Sequence, residues 1–263
     1  IINFFDVQEI SWNRCYEPWM IKRDKKLKTF LNENVKTQSF NGSLLWEPWE
    51  ILKNDGTPYK VYTPFFKRGC LSASKPRPPK SEKINFFKHN FSSMNISDLG
   101  LLESKKWESE ILSEWKVGES SSIKIMRSFF ENGIQDYSEG RNFPIKKNVS
   151  RLSPYLHWGQ ISPNTLWYEL NNLKNVKDKD IEVFKSELGW REFAYYLLYH
   201  FPYLQKKNLK TNFDNFQWLD DQKNFKKWSM GVTGIPIVDA GMRELWQTGY
   251  MHNRPRMIVS SFL

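Results

Sequence analysis

The chain has 263 residues, of which 40% are hydrophobic and 26% charged, a composition that excludes intrinsic disorder and predicts a packed globule. Its two cysteines, Cys15 and Cys70, exclude a disulfide-rich fold, and neither a CxxC nor an HExxH spacing indicates a metal site. No run of about 18 apolar residues is present, which excludes a transmembrane helix, and the net charge of +10 favours a polyanionic partner, with a plain solvated basic surface as the alternative.

The first 70 residues have the pattern of the end of an α/β layer. Residues 1–5 (IINFF) indicate a β-strand, Pro18–Asn32 a basic helix and Asn54–Pro58 a turn. Residues 72–83 (SASKPRPPKSEK) are rich in proline and basic side chains, which predicts an exposed linker and a domain boundary. Because the sequence starts without Met inside a strand pattern and stops inside a helix pattern, we expect a piece of a longer protein.

Beyond about Glu108 the apolar residues recur at spacings of three and four, which predicts an all-α second half. Pro163 and Pro236 stand where helix N-termini tolerate proline, and Gly249 separates two helices near the C-terminus. The predicted helices are Ser122–Asn132, Ser162–Leu173, Ile181–His200 and Pro236–Thr248.

The helix Ile181–His200 carries an unusual mixture of side chains. Its spacing places Phe184, Glu187, Trp190 and Arg191 toward one face, and two rings with a carboxylate and a guanidinium are not an ordinary core stripe. The alternative is an i,i+4 salt bridge between Glu187 and Arg191 beside a packed tryptophan.

The segment after Gly249 predicts a second functional helix. Tyr250, Asn253 and Met257 fall on one helical face, with Arg254 and Arg256 on other sides. Burying Asn253 on an apolar helix is costly without a partner, so a polar ligand is expected there. Asn148–Pro154 combines hydroxyls and an arginine and could cradle a phosphate, although plain helix capping would use the same residues.

These segments resemble the DNA photolyase and cryptochrome family, most closely class I-type cyclobutane pyrimidine dimer photolyases. The matching motifs are SRLSPYLHWGQISP at residues 150–163, ELGWREF at 187–193, TGIPIVDAGMR at 233–243 and MHNR at 251–254, with NRCYEP at 13–18 and GTPYKVYTPF at 56–65 closer to the N-terminus. The resemblance implies an α+β multidomain fold, in which residues 1–71 are the C-terminal part of an α/β, Rossmann-like antenna domain. Residues 72–114 would then be an interdomain linker, and residues 115–263 part of a mostly α-helical FAD-binding domain.

The resemblance also implies a function and a set of site residues. The function is light-driven repair of cyclobutane pyrimidine dimers in DNA by a carbon–carbon lyase that uses reduced, anionic FAD. In the full-length protein, a second antenna chromophore of the folate or deazaflavin type could be added. The cofactor positions are Tyr137, Val149, Ser150, Arg151, Leu152, Ser153, Phe184, Glu187, Arg191, Tyr250, Asn253 and Arg256. The substrate and DNA positions are Arg141, Glu187, Trp190, Arg254 and Met257, and the catalytic ones are Glu187, Asn253 and Trp218, the last as the surface end of an electron relay.

Three positions depart from the common family pattern. Phe184 and Tyr250 stand where many members carry tryptophan, and Val149 stands where many carry threonine, so a hydroxyl that could contact phosphate is lost. Trp218 could instead be an ordinary half-buried ring.

Two other functions remain compatible with this sequence. A cryptochrome would share the fold. Plant-type cryptochromes usually carry Asp at the position of Asn253, which favours repair here. A DNA-binding module without chemistry follows if FAD is not retained. The resemblance further implies a monomer whose partner is damaged DNA and not a membrane. Its expected location is the cytoplasm, in association with the nucleoid if the protein is bacterial.

Overall fold

The computed structural model describes residues 2–88, 92–101 and 106–263 and places the sheet near the start of the chain. Strands β1 (Glu9–Asn13) and β2 (Lys36–Phe40) pair in parallel with Glu9 opposite Lys36, and helix α2 (Pro18–Leu31) connects them. Pro18 occupies the first turn of α2, where its missing N–H costs nothing. The basic helix is therefore confirmed to within one residue, and the β–α–β order agrees with an α/β layer.

The predicted strand at residues 1–5 is wrong. Ile2–Phe5 form a short helix, α1, closed by a hydrogen bond from Val7 N to Ile2 O, while Ile1 lies outside the described residues. The run IINFF does not alternate apolar and polar residues, and such short apolar runs do not distinguish strand from helix.

Residues 41–72 form turns and short helices. The predicted turn is confirmed: Lys53 N donates to Thr57 O, and Gly56 adopts φ +76°, which favours glycine. Helix α3 (Tyr62–Pro64) continues into a π-helical turn at Phe65–Gly69 and a 3₁₀ turn at Cys70–Ser72.

The predicted linker is only partly irregular. Residues 73–88 have no regular structure, but a 3₁₀ turn occupies Ile96–Leu99 and helix α4 occupies Lys106–Ser113. Trp115, two residues beyond the end of α4, connects this region to the helical part, because its Nε1 donates to the carbonyl of Thr248 over 2.7 Å.

The rest of the described chain is helical. The four predicted helices are confirmed, although α5 and α9 each begin three residues early, at Glu119 and Asp178, and α8 ends two residues early, at Asn171. In α9, Asp178 and Asp180 complement the positive end of the helix dipole. Gly249 ends α11 with φ +68°. The helices are α5 (Glu119–Asn132), α6 (Tyr137–Gly140), α7 (Ser153–His157), α8 (Pro163–Asn171), α9 (Asp178–His200), α10 (Gln222–Ser229), α11 (Pro236–Thr248) and α12 (Asn253–Phe262), with 3₁₀ turns at Pro202–Gln205 and Thr211–Asn215.

One hydrophobic core crosses the predicted boundary at residue 71. Phe65 and Phe66, from the turn after α3, pack in the same buried cluster as Leu188 and Phe193 of α9. A smaller cluster joins α11 and α12 through Val238, Met242, Met251 and Val259. The division at 71 and 114 stays a prediction, whereas the packing makes residues 45–70 part of the helical core. In the part of the chain that the structure describes, no helix combines the length and apolar character needed to cross a bilayer.

Candidate cofactor-binding site

Four chain segments meet around a cavity of about 710 Å³. They are α6 with the residue that follows it, residues 149–158 before and along α7, one face of α9, and residues 250–256 around the start of α12. A volume of this size lies within the range of cavities that bind cofactors and substrates.

The α9 face contributes a buried ring and two charged groups. Phe184 is buried against Phe129 and Tyr137, with ring centroids 5.0 and 5.3 Å away. Glu187 Oε1 accepts from Arg141 Nη1 over 2.5 Å. The carboxylate at the cavity wall is thus paired with an arginine from another segment.

The expected alternative for α9, a salt bridge between Glu187 and Arg191, is wrong. Arg191 Nη1 donates to the carbonyl of Ser43 over 2.6 Å and lies 3.4 Å from Glu192 Oε1. Glu187 and Arg191 therefore each bond to a group outside α9 and not to each other.

The loop before α7 is built around Arg151. This residue adopts φ +52°, and its guanidinium lies 4.4 Å from the Tyr250 ring centroid and 5.1 Å from that of Trp115. Its Nε is buried without a hydrogen-bond partner among the described residues. A buried donor left unpaired is costly, so the cavity wall offers an anion a charged N–H that the protein itself does not use.

The capping interpretation of this loop is not supported. The residue that precedes α7 is Leu152, which makes no side-chain capping hydrogen bond. Ser150 Oγ accepts only a long bond of 3.4 Å from Leu152 N. Phosphate binding therefore remains the interpretation that uses these side chains.

The C-terminal segment differs from the predicted helical face. Helix α12 begins at Asn253, and His252 Nδ1 accepts from Arg254 N over 3.1 Å as its cap, so Tyr250 precedes the helix. Asn253 is exposed rather than buried, and it shares the cavity with Arg256, which was expected to point elsewhere. An N-terminal helix position leaves the side chain open to the cavity.

The cavity has a positive lining with neutral rings. Among the described residues that line it, one carboxylate, Glu187, stands against four arginines, which favours an anionic ligand. Burial raises the pKa of Tyr137 and of Tyr250, so both phenols are neutral. Flat rings, apolar walls and arginines together fit a ligand that joins an aromatic ring system to phosphates.

Most of the predicted site residues meet here. The twelve predicted cofactor positions, Tyr137, Val149, Ser150, Arg151, Leu152, Ser153, Phe184, Glu187, Arg191, Tyr250, Asn253 and Arg256, all line the cavity, as does Arg141. Four others lie outside that lining. Trp190 stacks on Tyr62, Trp218 is 75% exposed beside Phe216, and Arg254 bonds to Asn142 and approaches the sulfur of Met257.

Trp218 is thus not the half-buried ring considered as its alternative. Among the described residues its ring contacts Phe216, which does not line the cavity. Its role in an electron relay stays a prediction.

The sequence reasoning missed several lining residues. These are Pro154, Leu156, His157, Trp158, Leu188, Tyr195 and Met251. Most stand inside motifs that were already recognised, and Tyr195 continues the four-residue spacing from Glu187 through Arg191. Periodicity alone could have added Tyr195, whose ring lies 5.0 Å from the Arg191 guanidinium.

Two family models match the chain. Residues 184–263 match the FAD binding domain of DNA photolyase, and residues 1–82 match DNA photolyase. Together they include both the sheet and the α9 and α12 walls of the cavity.

Individual proteins show the same relationship. The deoxyribodipyrimidine photo-lyase of Agrobacterium fabrum is 44% identical over 97% of this chain and 54% of its own length. Cryptochrome-2 of Arabidopsis thaliana is 35% identical over 97% of this chain and 44% of its own length. This chain spans about half the length of the relatives it matches.

A solved structure agrees in fold. The crystal structure of a bacterial class III photolyase from Agrobacterium tumefaciens has a TM-score of 0.93 and 41% identity, covering 100% of this chain and 55% of that one. That protein is a class III photolyase, and the class I-type expectation for this chain stays a prediction.

Proposed function

The chain belongs to the DNA photolyase and cryptochrome family, and from that premise we propose that the protein repairs cyclobutane pyrimidine dimers in DNA with light and FAD. It is then a deoxyribodipyrimidine photo-lyase, a carbon–carbon lyase. The observation that carries this function is the meeting of all twelve predicted cofactor positions around one cavity.

The residues present fit FAD. The unpartnered Nε of Arg151 and the guanidinium of Arg256 suit its phosphates, while Phe184 supplies a buried apolar ring. Val149 offers no hydroxyl, so the phosphates depend on Ser150, Ser153 and the arginines. When bound in its reduced, anionic form, FAD would supply the light-driven one-electron chemistry that opens the two carbon–carbon bonds of the dimer, with the electron going back to the flavin at the end.

The chain's own residues bind and orient the two ligands. Glu187 is held by Arg141 at the wall and accepts hydrogen bonds from a pyrimidine edge. The Asn253 amide is exposed to the cavity and can donate a hydrogen bond without giving up a proton. Trp190 and Met257, each about half exposed outside the cavity lining, provide apolar contact for bases flipped from the duplex.

A cryptochrome-type light receptor is the second candidate, supported by the similarity to Cryptochrome-2. The combination of Glu187, Trp190, Asn253 and Met257 favours repair. A DNA-binding module without chemistry is the third possibility, and it requires that FAD is not retained.

Further properties follow from the same proposal. The partner is DNA that contains pyrimidine dimers, bound by a monomer in the cytoplasm, near the nucleoid in a bacterium. The full-length protein would carry a second antenna chromophore of the folate or deazaflavin type. Trp218, at the surface, would be the outer end of an electron relay.

The test is repair of a defined lesion. The purified protein is reduced, mixed with an oligonucleotide that contains one thymine dimer, and exposed to blue light or kept dark. Before reduction we expect visible absorption from oxidised FAD, and after reduction we expect loss of the dimer in the light only. FAD without repair would favour the receptor, and colourless protein that still binds DNA would favour the module.

Glu187→Ala sharpens the test. Repair should fall roughly ten- to hundredfold because a charged hydrogen bond to the substrate is lost, while FAD content stays close to the original. Glu182→Ala, on an exposed position of the same helix, is the matched control and should repair normally.

A further inference from the structure

Trp190 is supported on one side by another ring. The Trp190 and Tyr62 centroids lie 3.6 Å apart with their planes at 11°, a parallel stack. Trp190 nevertheless keeps 49% of its surface exposed. A flat indole with one supported face and a large exposed part is suited to stack on a base.

Tyr62 is itself fixed from two directions. Its hydroxyl donates to the backbone carbonyl of Ser186 over 2.6 Å and lies 2.8 Å from Ser186 Oγ. The Phe66 ring is also stacked with the Tyr62 ring, with centroids 5.7 Å apart and planes at 10°. Burial raises the pKa of Tyr62 to about 12, so the hydroxyl remains a donor at neutral pH.

The backbone of α9 is shaped to admit these rings. At Gly189, directly before Trp190, a Cβ atom would lie 2.4 Å from Cδ2 of Phe66 and 2.8 Å from the Tyr62 hydroxyl oxygen. Any side chain there would collide with both. Gly189 therefore permits the three-ring stack of Trp190, Tyr62 and Phe66.

We propose that Tyr62 is a positioning residue that holds the Trp190 indole as a preformed stacking platform for bases flipped out at the lesion. This inference rests on the proposed function, since it is the dimer that would contact Trp190. Its basis is general: a side chain held in its bound orientation before binding loses less entropy when the ligand arrives.

The variants separate the ring from the hydrogen bond. Tyr62→Leu removes the stacked ring and should weaken binding to a dimer-containing duplex by roughly two- to tenfold, the usual cost of immobilising one side chain. Tyr62→Phe keeps the ring and should stay near the original affinity. Trp190→Ala should weaken binding by roughly five- to 150-fold, because the stacking surface itself is lost.

A double-mutant cycle tests whether Tyr62 acts through Trp190. Binding of a fluorescent duplex with one thymine dimer, and of the same duplex undamaged, is measured by anisotropy in the dark with the FAD-loaded full chain. Tyr62→Leu should have no further effect in the Trp190→Ala background. An equal loss in both backgrounds, or an equal loss for both duplexes, would overturn the proposal.

Two safeguards keep the test decisive. If Tyr62→Leu does not fold, Tyr62→Met fills the space with a flexible, non-planar side chain and should give the same coupling to Trp190. If the original protein binds the dimer-containing duplex more tightly than the undamaged one, and Tyr62→Leu or Tyr62→Met binds both duplexes as tightly as the original protein does, this proposal alone is wrong. If the original protein shows no preference for the dimer, the proposed function and the platform are both wrong.

Discussion

The two faces of α9 use the same residue type in opposite ways. On the cavity face, Glu187 pairs with a side chain, Arg141, and its own side chain is 31% exposed. On the packed face, Glu192 is 3% exposed, and its Oε2 accepts from the backbone N–H groups of Leu45 and Trp46 over 2.8 and 3.3 Å. A carboxyl bonded to backbone is fixed in the fold, whereas one bonded to a single side chain can exchange that partner for a ligand.

The largest expected effect comes from removing the packed-face carboxyl. Glu192→Ala leaves two buried N–H groups without an acceptor and opens a cavity, so we expect a loss of about 3–5 kcal/mol in unfolding free energy. Glu187→Ala should cost less than about 1 kcal/mol, because its ion pair is partly exposed. Urea unfolding of both variants measures the contrast, and equal losses would contradict the distinction between the faces.

Gly189→Ala tests the packed face by adding an atom instead of removing one. The new methyl group would overlap the rings of the stack, and such overpacking typically costs about 1–3 kcal/mol. Glu182→Ala, exposed on the same helix, should remain within about 0.5 kcal/mol of the original protein. A stable Gly189→Ala variant would show that Phe66 moves aside easily.

The contrast between the faces also marks what sequence could predict. The cavity lining was predictable because its motifs resemble those of a known family, and that resemblance implied all twelve cofactor positions. Local spacing alone grouped only neighbours on one element, such as Glu187 and Arg191, which are one helical turn apart.

The packed face was not predictable in the same way. Tyr62 and its partner Ser186 are 124 residues apart, and no local pattern connects them. The same limit explains why Trp190 was grouped with Glu187 on one face: it is three residues away, but a long-range stack with Tyr62 keeps it out of the cavity lining. The cap at His252 is different, because it is a local bond from Arg254 N, two residues away, and helical periodicity alone did not indicate that α12 begins after Tyr250.

A pH titration separates the two carboxyls further. Burial raises the pKa of Glu192 from 4.5 to about 8. Between these values the folded protein keeps a proton that the unfolded chain releases, so the contribution of Glu192 to stability is greatest below about pH 4.5 and declines as pH rises to about 8.

Glu192→Gln removes this titration while keeping an acceptor. Relative to the original protein, the unfolding free energy of the variant should rise progressively as the pH increases from 4.5 to about 8. Above about pH 8 the difference in unfolding free energy between the two proteins should stay constant. Thermal or urea unfolding at several pH values gives the comparison. A difference that does not change with pH would mean that Glu192 is ionised in the folded state.

The smallest expected effect is on the salt dependence of DNA binding, and it differs between two arginines because one is paired with a carboxylate and the other is not. Arg254 bonds to neutral groups, Asn142 and Met257, so its charge is available to a DNA phosphate. Arg141 is paired with Glu187 on the cavity face. Arg254→Ala should therefore reduce the slope of log binding constant against log salt by about one, for damaged and undamaged duplexes alike. Arg141→Ala should change that slope much less, because its charge is already balanced. If Arg141→Ala lowered the slope as much as Arg254→Ala, Arg141 would have to leave Glu187 and contact phosphate when DNA binds, and the cavity face would be rearranged by its substrate.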